Sequence, residues 1–219
     1  MTTQTDLARE QMVNQQVRAG DVLDERVLAT LRQVPREHFV PAAWRELAFA
    51  DIGVALPAGQ RMLRPILVGR ILQALELQET DRVLEIGTGS GFLSACLAQL
   101  AASVQSLELH GELASFARAN LAATGARRVE VQQADAFQFS PPAGGYDAIV
   151  LTGSLPVADE RFQQWLAPGG RLFVVVGNGA LMEARLVRRG TGEQFFSRTL
   201  FETRLAALEH ARAAEKFHF

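Results

Sequence analysis

The sequence has little cysteine, no long apolar run and no excess of charge of one sign. Cys96 is the one cysteine among 219 residues, so the chain can form no internal disulfide and no multi-cysteine metal site. Without an apolar signal core or a run of the ~20 apolar residues that span a bilayer, we expect a cytoplasmic protein with no membrane partner. The 22 basic and 24 acidic residues give a net charge of −2, which offers no electrostatic case for binding nucleic acid.

The composition is that of a globular protein with a sizeable core. Hydrophobic residues make up 48% of the chain and charged residues 21%. The length suits one α/β domain over residues 1–219. Within it we predict an N-terminal helical and loop extension over 1–64, a core over 65–205 and a C-terminal tail over 206–219.

Hydrophobic spacing predicts helices in the extension. Apolar residues recur at helical intervals up to about Leu31 and indicate two helices, the second capped by Asp21 or Asp24. A proline-bounded break covers 34–41, and 51–64 forms an irregular segment with turn residues. Pro65 suits the first turn of the helix that follows.

From residue 82 onwards, short apolar segments alternate with helical ones. This alternation predicts a Rossmann-like α/β fold, with a mostly parallel sheet and helices on both faces. The strands are predicted over 83–86, 104–109, 129–131, 148–151 and 172–176, followed by a closing hairpin over 183–189 and 194–201. The helices are predicted over 93–100 and 113–123 and near 162–166.

Closely spaced glycines after the first strand of the core are the strongest chemical signal. Gly87, Gly89 and Gly91 precede a predicted helix, where a ligand can approach backbone atoms because no Cβ intervenes. Their spacing is not the Gly-x-Gly-x-x-Gly of dinucleotide enzymes. Glu85, inside the strand, suits the ammonium and sulfonium of S-adenosylmethionine better than a pyrophosphate. The alternative is a strand acid paired with a buried arginine.

Two further acids follow the next strands. Glu108 can accept hydrogen bonds from ribose hydroxyls. Asp135 lies where an acid could contact adenine, or it forms an Asx turn. We therefore predict that the chain binds S-adenosylmethionine, without a metal, through residues at the ends of four strands. They are Glu85, Ile86, Gly87, Thr88, Gly89, Gly91, Glu108, Leu109, Asp135, Ala136 and Leu151.

Several segments resemble the protein-L-isoaspartate (D-aspartate) O-methyltransferase family over roughly residues 12 to 205. The most specific is Val34-Pro35-Arg36-Glu37-His38-Phe39-Val40-Pro41, at its distance before the glycines. Met12-Val13-x-x-Gln16-Val17, Ala48-Phe49-Ala50-Asp51 and Pro168-Gly169-Gly170-Arg171-Leu172 add to it. The resemblance implies that the chain repairs proteins, by methylating the abnormal carboxylate formed when asparagine deamidates or aspartate isomerises. Isoaspartyl proteins or peptides would then be its substrates.

The departures from the family lie on the substrate side. The family's loop reads approximately Gly-Gln-Thr-Ile-Ser-Gln-Pro, whereas this chain has Gly59-Gln60-Arg61-Met62-Leu63-Arg64-Pro65. Arg61 therefore replaces the threonine and Leu63 the serine. Near the C-terminus, Thr203-Arg204-Leu205-Ala206-Ala207-Leu208 stands where the family has a Val-Arg-Phe-Val-Pro-Leu type segment.

The reaction tolerates the loss of a hydroxyl because its nucleophile is a carboxylate. Such a group, with an ordinary pKa of about 4, is already ionised at neutral pH. The enzyme has to position that carboxylate and exclude water. Losing one positioning hydrogen bond costs roughly ten- to a hundredfold in rate. Arg61 and Arg64 can compensate by binding the carboxylate, unless they are only solvated loop charges, and Thr152 offers another hydroxyl.

We therefore predict an S-adenosylmethionine-dependent carboxyl O-methyltransferase of the isoaspartyl type, with Leu63, Arg61, Arg64 and Thr152 on the catalytic side. Two alternatives stay open because of Leu63: a methyltransferase for another substrate, and a cofactor-binding homologue without isoaspartyl turnover. A nicotinamide oxidoreductase is opposed by the glycine spacing and by Glu85.

Overall fold

The structure, a computed structural model, describes residues 3–179 and 181–213. Its α-helices are α1 (Gln4–Gln11), α2 (Glu25–Gln33), α3 (Pro65–Leu75), α4 (Phe92–Leu100), α5 (Gly111–Ala123) and α6 (Arg161–Gln164). Its strands are β1 (Val54–Ala55), β2 (Arg61–Met62), β3 (Arg82–Ile86), β4 (Ser103–Glu108), β5 (Val129–Gln133), β6 (Tyr146–Leu155), β7 (Leu166–Asn178), β8 (Leu181–Arg189) and β9 (Phe195–Glu202).

Seven strands form the central sheet in the order β5-β4-β3-β6-β7-β8-β9. The first five of these pair in parallel, and β8 and β9 add an antiparallel edge. The predicted mostly parallel sheet and its closing hairpin are therefore confirmed. The chain runs outwards from β3 to β5 and then crosses to β6 on the other side of β3. In open α/β sheets, ligands bind at the carboxyl ends of the strands where the order reverses in this way.

The two faces of the sheet are covered unequally. One face packs against α3, α4 and α5 through alternate strand residues such as Val83 and Val104. The other face, which includes Leu84 and Ile149, is covered by α6 and by aromatic side chains around Phe162. Helices thus lie on both faces of the sheet, but the long helices α3, α4 and α5 share one face. The glycine segment leads into that layer of helices at the start of α4.

The N-terminal extension forms the two predicted helical stretches. Helix α1 continues through a π-helical turn, Met12–Val17, and a 3₁₀ turn, Arg18–Gly20. Asp24, one of the two predicted caps, accepts hydrogen bonds from the first turn of α2, where its carboxylate meets the positive end of the helix dipole. Asp21 instead adopts a left-handed conformation before the cap. No helix within the described residues is long and apolar enough to cross a membrane.

The segment 51–64 is more regular than the sequence predicts. Strands β1 and β2 pair as a two-stranded antiparallel ribbon, with Val54 opposite Met62 and Ala55 opposite Arg61. Its apolar members Val54 and Met62 are buried, which explains why this short ribbon is stable beside the sheet. The ribbon places the predicted substrate loop at the carboxyl end of the sheet.

The predicted tail does not begin as a free end. After β9, Ser154 on β6 donates its backbone N–H to Ala206 O, and Leu208 donates to Ser154 O. Residues 214–219 of the predicted tail lie outside the described residues. The division of the chain at residues 64 and 205 stays a prediction.

Candidate functional site

A cavity of about 380 Å³ lies at the carboxyl ends of β3, β4, β5 and β6. This volume is within the range of small-molecule sites in proteins. It is lined by most of the residues predicted for the cofactor: Glu85, Ile86, Gly87, Thr88, Gly89, Glu108, Leu109, Asp135 and Ala136. It is also lined by those predicted for the acceptor: Arg61, Leu63, Arg64 and Thr152. Gly91 and Leu151 are not among the described residues of its lining.

In the glycine loop, Gly87 and Gly91 each combine a positive φ with a contact that leaves little room for a Cβ, and the contacting residue differs between them. Gly87 has φ +92°, and a Cβ added there would overlap the Thr152 hydroxyl, which donates to Gly87 O at 2.7 Å and Ile86 O at 3.0 Å. Gly91 has φ +85° and forms the N-cap of α4, where a Cβ would press on Leu121 at 3.2 Å. Gly91 therefore sets the path of the backbone where the loop enters α4, although it is not in the described lining of the cavity.

Glu85 is fully buried and is held by two serines. Ser106, its register partner on β4, donates to Oε2 at 2.6 Å, and Ser94 on α4 donates to the same oxygen. The other oxygen, Oε1, accepts no hydrogen bond from any residue that the structure describes. Burial, opposed by the two serine hydrogen bonds and reinforced by Glu108, raises the pKa of Glu85 to about 7. The alternative of a buried arginine partner is wrong.

Glu108 ends β4 and faces the glycine loop. Its Oε2 accepts the Gly89 N–H at 2.8 Å, and Oε1 accepts the His110 N–H at 3.1 Å. Each carboxylate oxygen has a further lone pair, so the group can still accept two hydrogen bonds from a ligand. The backbone contacts fix its orientation before any ligand arrives.

Asp135 forms the Asx turn that its position suggested, and it also lines the cavity; its contact with adenine stays a prediction. In the turn, Oδ1 accepts the Phe137 N–H at 2.8 Å. Oδ2 lies 2.8 Å from His210 Nδ1 and accepts from Gln138 at 3.2 Å. Partial burial works to raise the pKa of Asp135, but the Phe137 amide and His210 outweigh it and lower the pKa.

The acceptor side consists of one apolar and two cationic side chains. Leu63 is partly buried and packs against the core on the face of the sheet that α3, α4 and α5 cover. Its side chain is apolar, so it offers a ligand no hydrogen bond. Arg61 is exposed and donates to Gly53 O at 3.0 Å. Arg64 lies 3.7 Å from Asp51, longer than the 2.7–2.9 Å of a direct charge-assisted hydrogen bond. Both guanidinium groups therefore keep donors for a ligand.

Arg36 stands out in the sequence only as part of a family segment, and the structure gives it a role. It is fully buried, and it donates to Ala48 O at 2.8 Å and to Leu63 O at 2.9 Å. Its guanidinium lies 4.8 Å from the ring of Phe92, the first residue of α4. Burial lowers the pKa of Arg36 to about 10, so it stays charged at neutral pH. Arg36 thus connects the predicted substrate loop, residues 59–65, which we call the acceptor loop, to α4, the helix that follows the glycine loop.

Sequence reasoning also missed Ser94 and Ser106, the partners of Glu85, and Glu209 in the lining of the cavity. A serine opposite Glu85 in a parallel register could have been found once the strands were aligned. Residues 206–209 also line the cavity; the first three belong to the C-terminal segment compared with the family above, whereas no motif marks Glu209. Among the residues that the structure describes, no three His, Cys, Asp or Glu side chains could together hold a metal ion.

Comparisons with known proteins identify the family of the chain. The family model for protein-L-isoaspartate(D-aspartate) O-methyltransferase matches residues 7–211. Protein-L-isoaspartate O-methyltransferase 1 of Rhodopseudomonas palustris (strain HaA2) is 44% identical over 180 residues, which cover 82% of this chain and 73% of that protein. The protein-L-isoaspartate O-methyltransferase of Methanoculleus marisnigri is 42% identical over 182 residues, or 83% of each chain.

The fold is also that of solved structures. A proposed protein-L-isoaspartate O-methyltransferase from Plasmodium falciparum, in complex with S-adenosyl-L-homocysteine, matches with a TM-score of 0.80. The match covers 92% of this chain and 98% of that one, at 19% identity. At this identity the likeness concerns the fold.

Proposed function

The chain belongs to the protein-L-isoaspartate(D-aspartate) O-methyltransferase family, and from that premise we propose that it methylates isoaspartyl carboxylates in damaged proteins. It is an S-adenosylmethionine-dependent methyltransferase. The observation that supports the substrate is the cavity itself, which has a buried carboxylate at one end and guanidinium groups at the other. The first can hold a cation and the second an anion, which are the charges of the two reactants.

The residues of the cavity fit S-adenosylmethionine. Glu85 Oε1 is buried without a partner among the described residues, and a cationic ligand group would satisfy it. Glu108 has free lone pairs for ribose hydroxyls. Gly87 and Gly89 line the cavity without a side chain, so a ligand can approach their backbone atoms. Asp135 completes the set beside the adenine. We assign the remaining cofactor contacts to Ile86, Thr88, Leu109 and Ala136. Gly91 and Leu151 contribute indirectly, by shaping the glycine loop and β6.

When bound, the cofactor supplies an electrophilic methyl group on a sulfonium. The chain's residues have to bring an acceptor carboxylate to that methyl group and exclude water. The acceptor is already ionised at neutral pH, so no side chain has to remove a proton. Arg61 and Arg64 orient the carboxylate, since guanidinium groups bind it through two parallel hydrogen bonds. Leu63 contributes an apolar wall beside them.

Thr152 acts through the glycine loop in this proposal. Its hydroxyl proton is shared between Ile86 O and Gly87 O, so it is not available to a substrate. It holds the loop in place instead of binding the acceptor. Arg36 has the matching role on the other side, where it fixes the backbone of Leu63.

One observation favours a second candidate, the methylation of another carboxylate substrate. Leu63 packs into the core where the family has a serine, and the acceptor end is rich in arginine. A more strongly anionic acceptor would suit such a surface. The proposal locates either reaction in the cytoplasm, in keeping with a chain whose single cysteine, Cys96, is buried and free.

The proposal is tested by methyl transfer to an isoaspartyl peptide and to its aspartyl twin, with Leu63→Ser assayed in parallel. We expect methylation of the isoaspartyl peptide alone. The restored hydroxyl should raise the rate by about tenfold, the value of one positioning hydrogen bond. If neither protein methylates either peptide although S-adenosylmethionine binds, the isoaspartyl assignment fails and a screen of other carboxylate peptides follows.

A further inference from the structure

Residues 205–211, which we call the strap, cross the mouth of the cavity after β9. The strap is attached to β6 by backbone hydrogen bonds at Ser154, whose hydroxyl also donates to Leu205 O at 3.1 Å. Its approach is close, since a Cβ added at Gly153 would lie 2.7 Å from Leu208. These contacts anchor one edge of the strap and leave its other edge over the cavity.

Two side chains attach that second edge. Glu209 Oε1 accepts from Gln60 Nε2 at 2.8 Å and lies 2.8 Å from His110 Nε2. His210 Nδ1 lies 2.8 Å from Asp135 Oδ2. Gln60 belongs to the acceptor loop, whereas His110 follows Glu108 on the cofactor side. One carboxylate oxygen of Glu209 therefore joins the acceptor loop to the segment that follows β4, and Glu209, Gln60 and His110 all line the cavity.

We propose that Glu209 is a positioning residue, which locks the strap over the cavity and fixes the acceptor loop relative to the bound cofactor. The inference rests on the proposed function in taking the cavity as the cofactor site and the loop after Gln60 as the acceptor segment. Because residues 206–209 line the cavity, a strap held in place by Glu209 slows the release of a bound ligand. The same contact holds Gln60, which immediately precedes the Arg61–Leu63 segment that meets the acceptor. Loss of Glu209 therefore affects both ligand release and acceptor binding.

The test compares Glu209→Ala with Glu209→Gln, whose amide oxygen still accepts both hydrogen bonds. Glu193→Ala, an exposed position in the β8–β9 turn, is the control. Amide hydrogen exchange of the strap is measured without ligand, followed by the dissociation rate of S-adenosylhomocysteine and by the acceptor KM and kcat. Losing a hydrogen bond shifts an equilibrium by about fivefold, and we expect this change in exchange, release and KM for Glu209→Ala. Glu209→Gln should stay within about twofold of the wild type.

Two results would overturn the proposal. In the first, Glu209→Ala exchanges and releases ligand as slowly as the wild type and the control. In the second, Glu209→Gln behaves like Glu209→Ala, so that the two shared hydrogen bonds are not the cause. Gln60→Ala added to Glu209→Ala should change the rates no further, since both act through one contact. If the wild type methylates no isoaspartyl peptide, the proposed function fails, while the exchange and release rates still decide the role of the strap.

Discussion

The two ends of the cavity are built in opposite ways. At the cofactor end, Glu85 and Glu108 are buried and held by serine hydroxyls and backbone amides. At the acceptor end, Arg61 and Arg64 are exposed, with one backbone hydrogen bond and one long ion pair. The difference shows that the cofactor end is preorganised, with its carboxylates fixed before binding. The acceptor end can adapt to its ligand, and it is there that we predict a departure from the family.

The largest effect is expected when the charge of the buried carboxylate at the cofactor end is removed. Glu85→Gln keeps the shape but loses the carboxylate that faces the cation. We expect S-adenosylmethionine to bind on the order of 100-fold more weakly, because losing one partner of a buried ion pair costs about 3 kcal/mol. Calorimetry measures this, with Glu112→Gln on the exposed face of α5 as the control. Equal affinities for Glu85→Gln and the wild type would show that the buried carboxylate does not hold the cofactor.

Rigidity at the cofactor end is tested at Gly87. Gly87→Ala forces a Cβ onto a positive φ and against the Thr152 hydroxyl. We expect a loss of about 2 kcal/mol of folding free energy, or roughly 4–8 °C in Tm. Gly125→Ala is the matched control, since it has φ +72° but its Cβ would meet no described atom within 4 Å. Thr152→Ala should recover part of the loss in the Gly87 variant and none in the control; recovery in both would show that the overlap is unimportant.

The pH dependence of cofactor binding tests the charge of Glu85 in a second way. The raised pKa of Glu85, about 7, means that the carboxyl group is mostly protonated at pH 6 and mostly ionised at pH 7.5. A cationic ligand binds the ionised form, so affinity rises with pH. The rise between these values is at most about tenfold for one proton. In Glu85→Gln the profile should be flat; an unchanged slope in that variant would assign the titration to another group.

At the acceptor end we expect a smaller effect that leaves the cofactor untouched. Arg61→Ala should raise the acceptor KM about fivefold, as for an exposed ion pair, with the affinity for S-adenosylmethionine within twofold of the wild type. Arg45→Ala, exposed and outside the described lining of the cavity, is the control. Steady-state kinetics with varied peptide and saturating cofactor measures the change. A loss of cofactor affinity in Arg61→Ala would mean that the two ends are not separate.

The sequence predicted the cofactor end better than the acceptor end for physical reasons. Local patterns report local structure, so the alternation of strands and helices, the Asp24 cap and the glycine loop were all readable. Glu85 was recognised because a carboxylate in an apolar strand is costly without a partner. Its serine partners needed the register between β3 and β4, which one strand alone does not contain.

The covering of the cavity depends on contacts between residues far apart in the chain. Glu209 meets Gln60 and His110 across separations of 149 and 99 residues. Arg36 reaches Leu63 from another element. A charged tail and an arginine within a motif look the same in sequence whether or not they make such contacts. For that reason the sequence marked the start of the strap only by its likeness to a family segment and the rest only as a tail, and it marked Arg36 only as part of a family segment.

The central claim is tested most directly by competition in a single tube. An isoaspartyl peptide and its isotopically labelled aspartyl twin are mixed at equal concentration with the protein and S-adenosylmethionine, and methyl esters are counted by mass spectrometry. The account predicts methyl ester on the isoaspartyl peptide and none on its twin. Equal labelling of the two peptides, or no labelling while S-adenosylmethionine is bound, would contradict it.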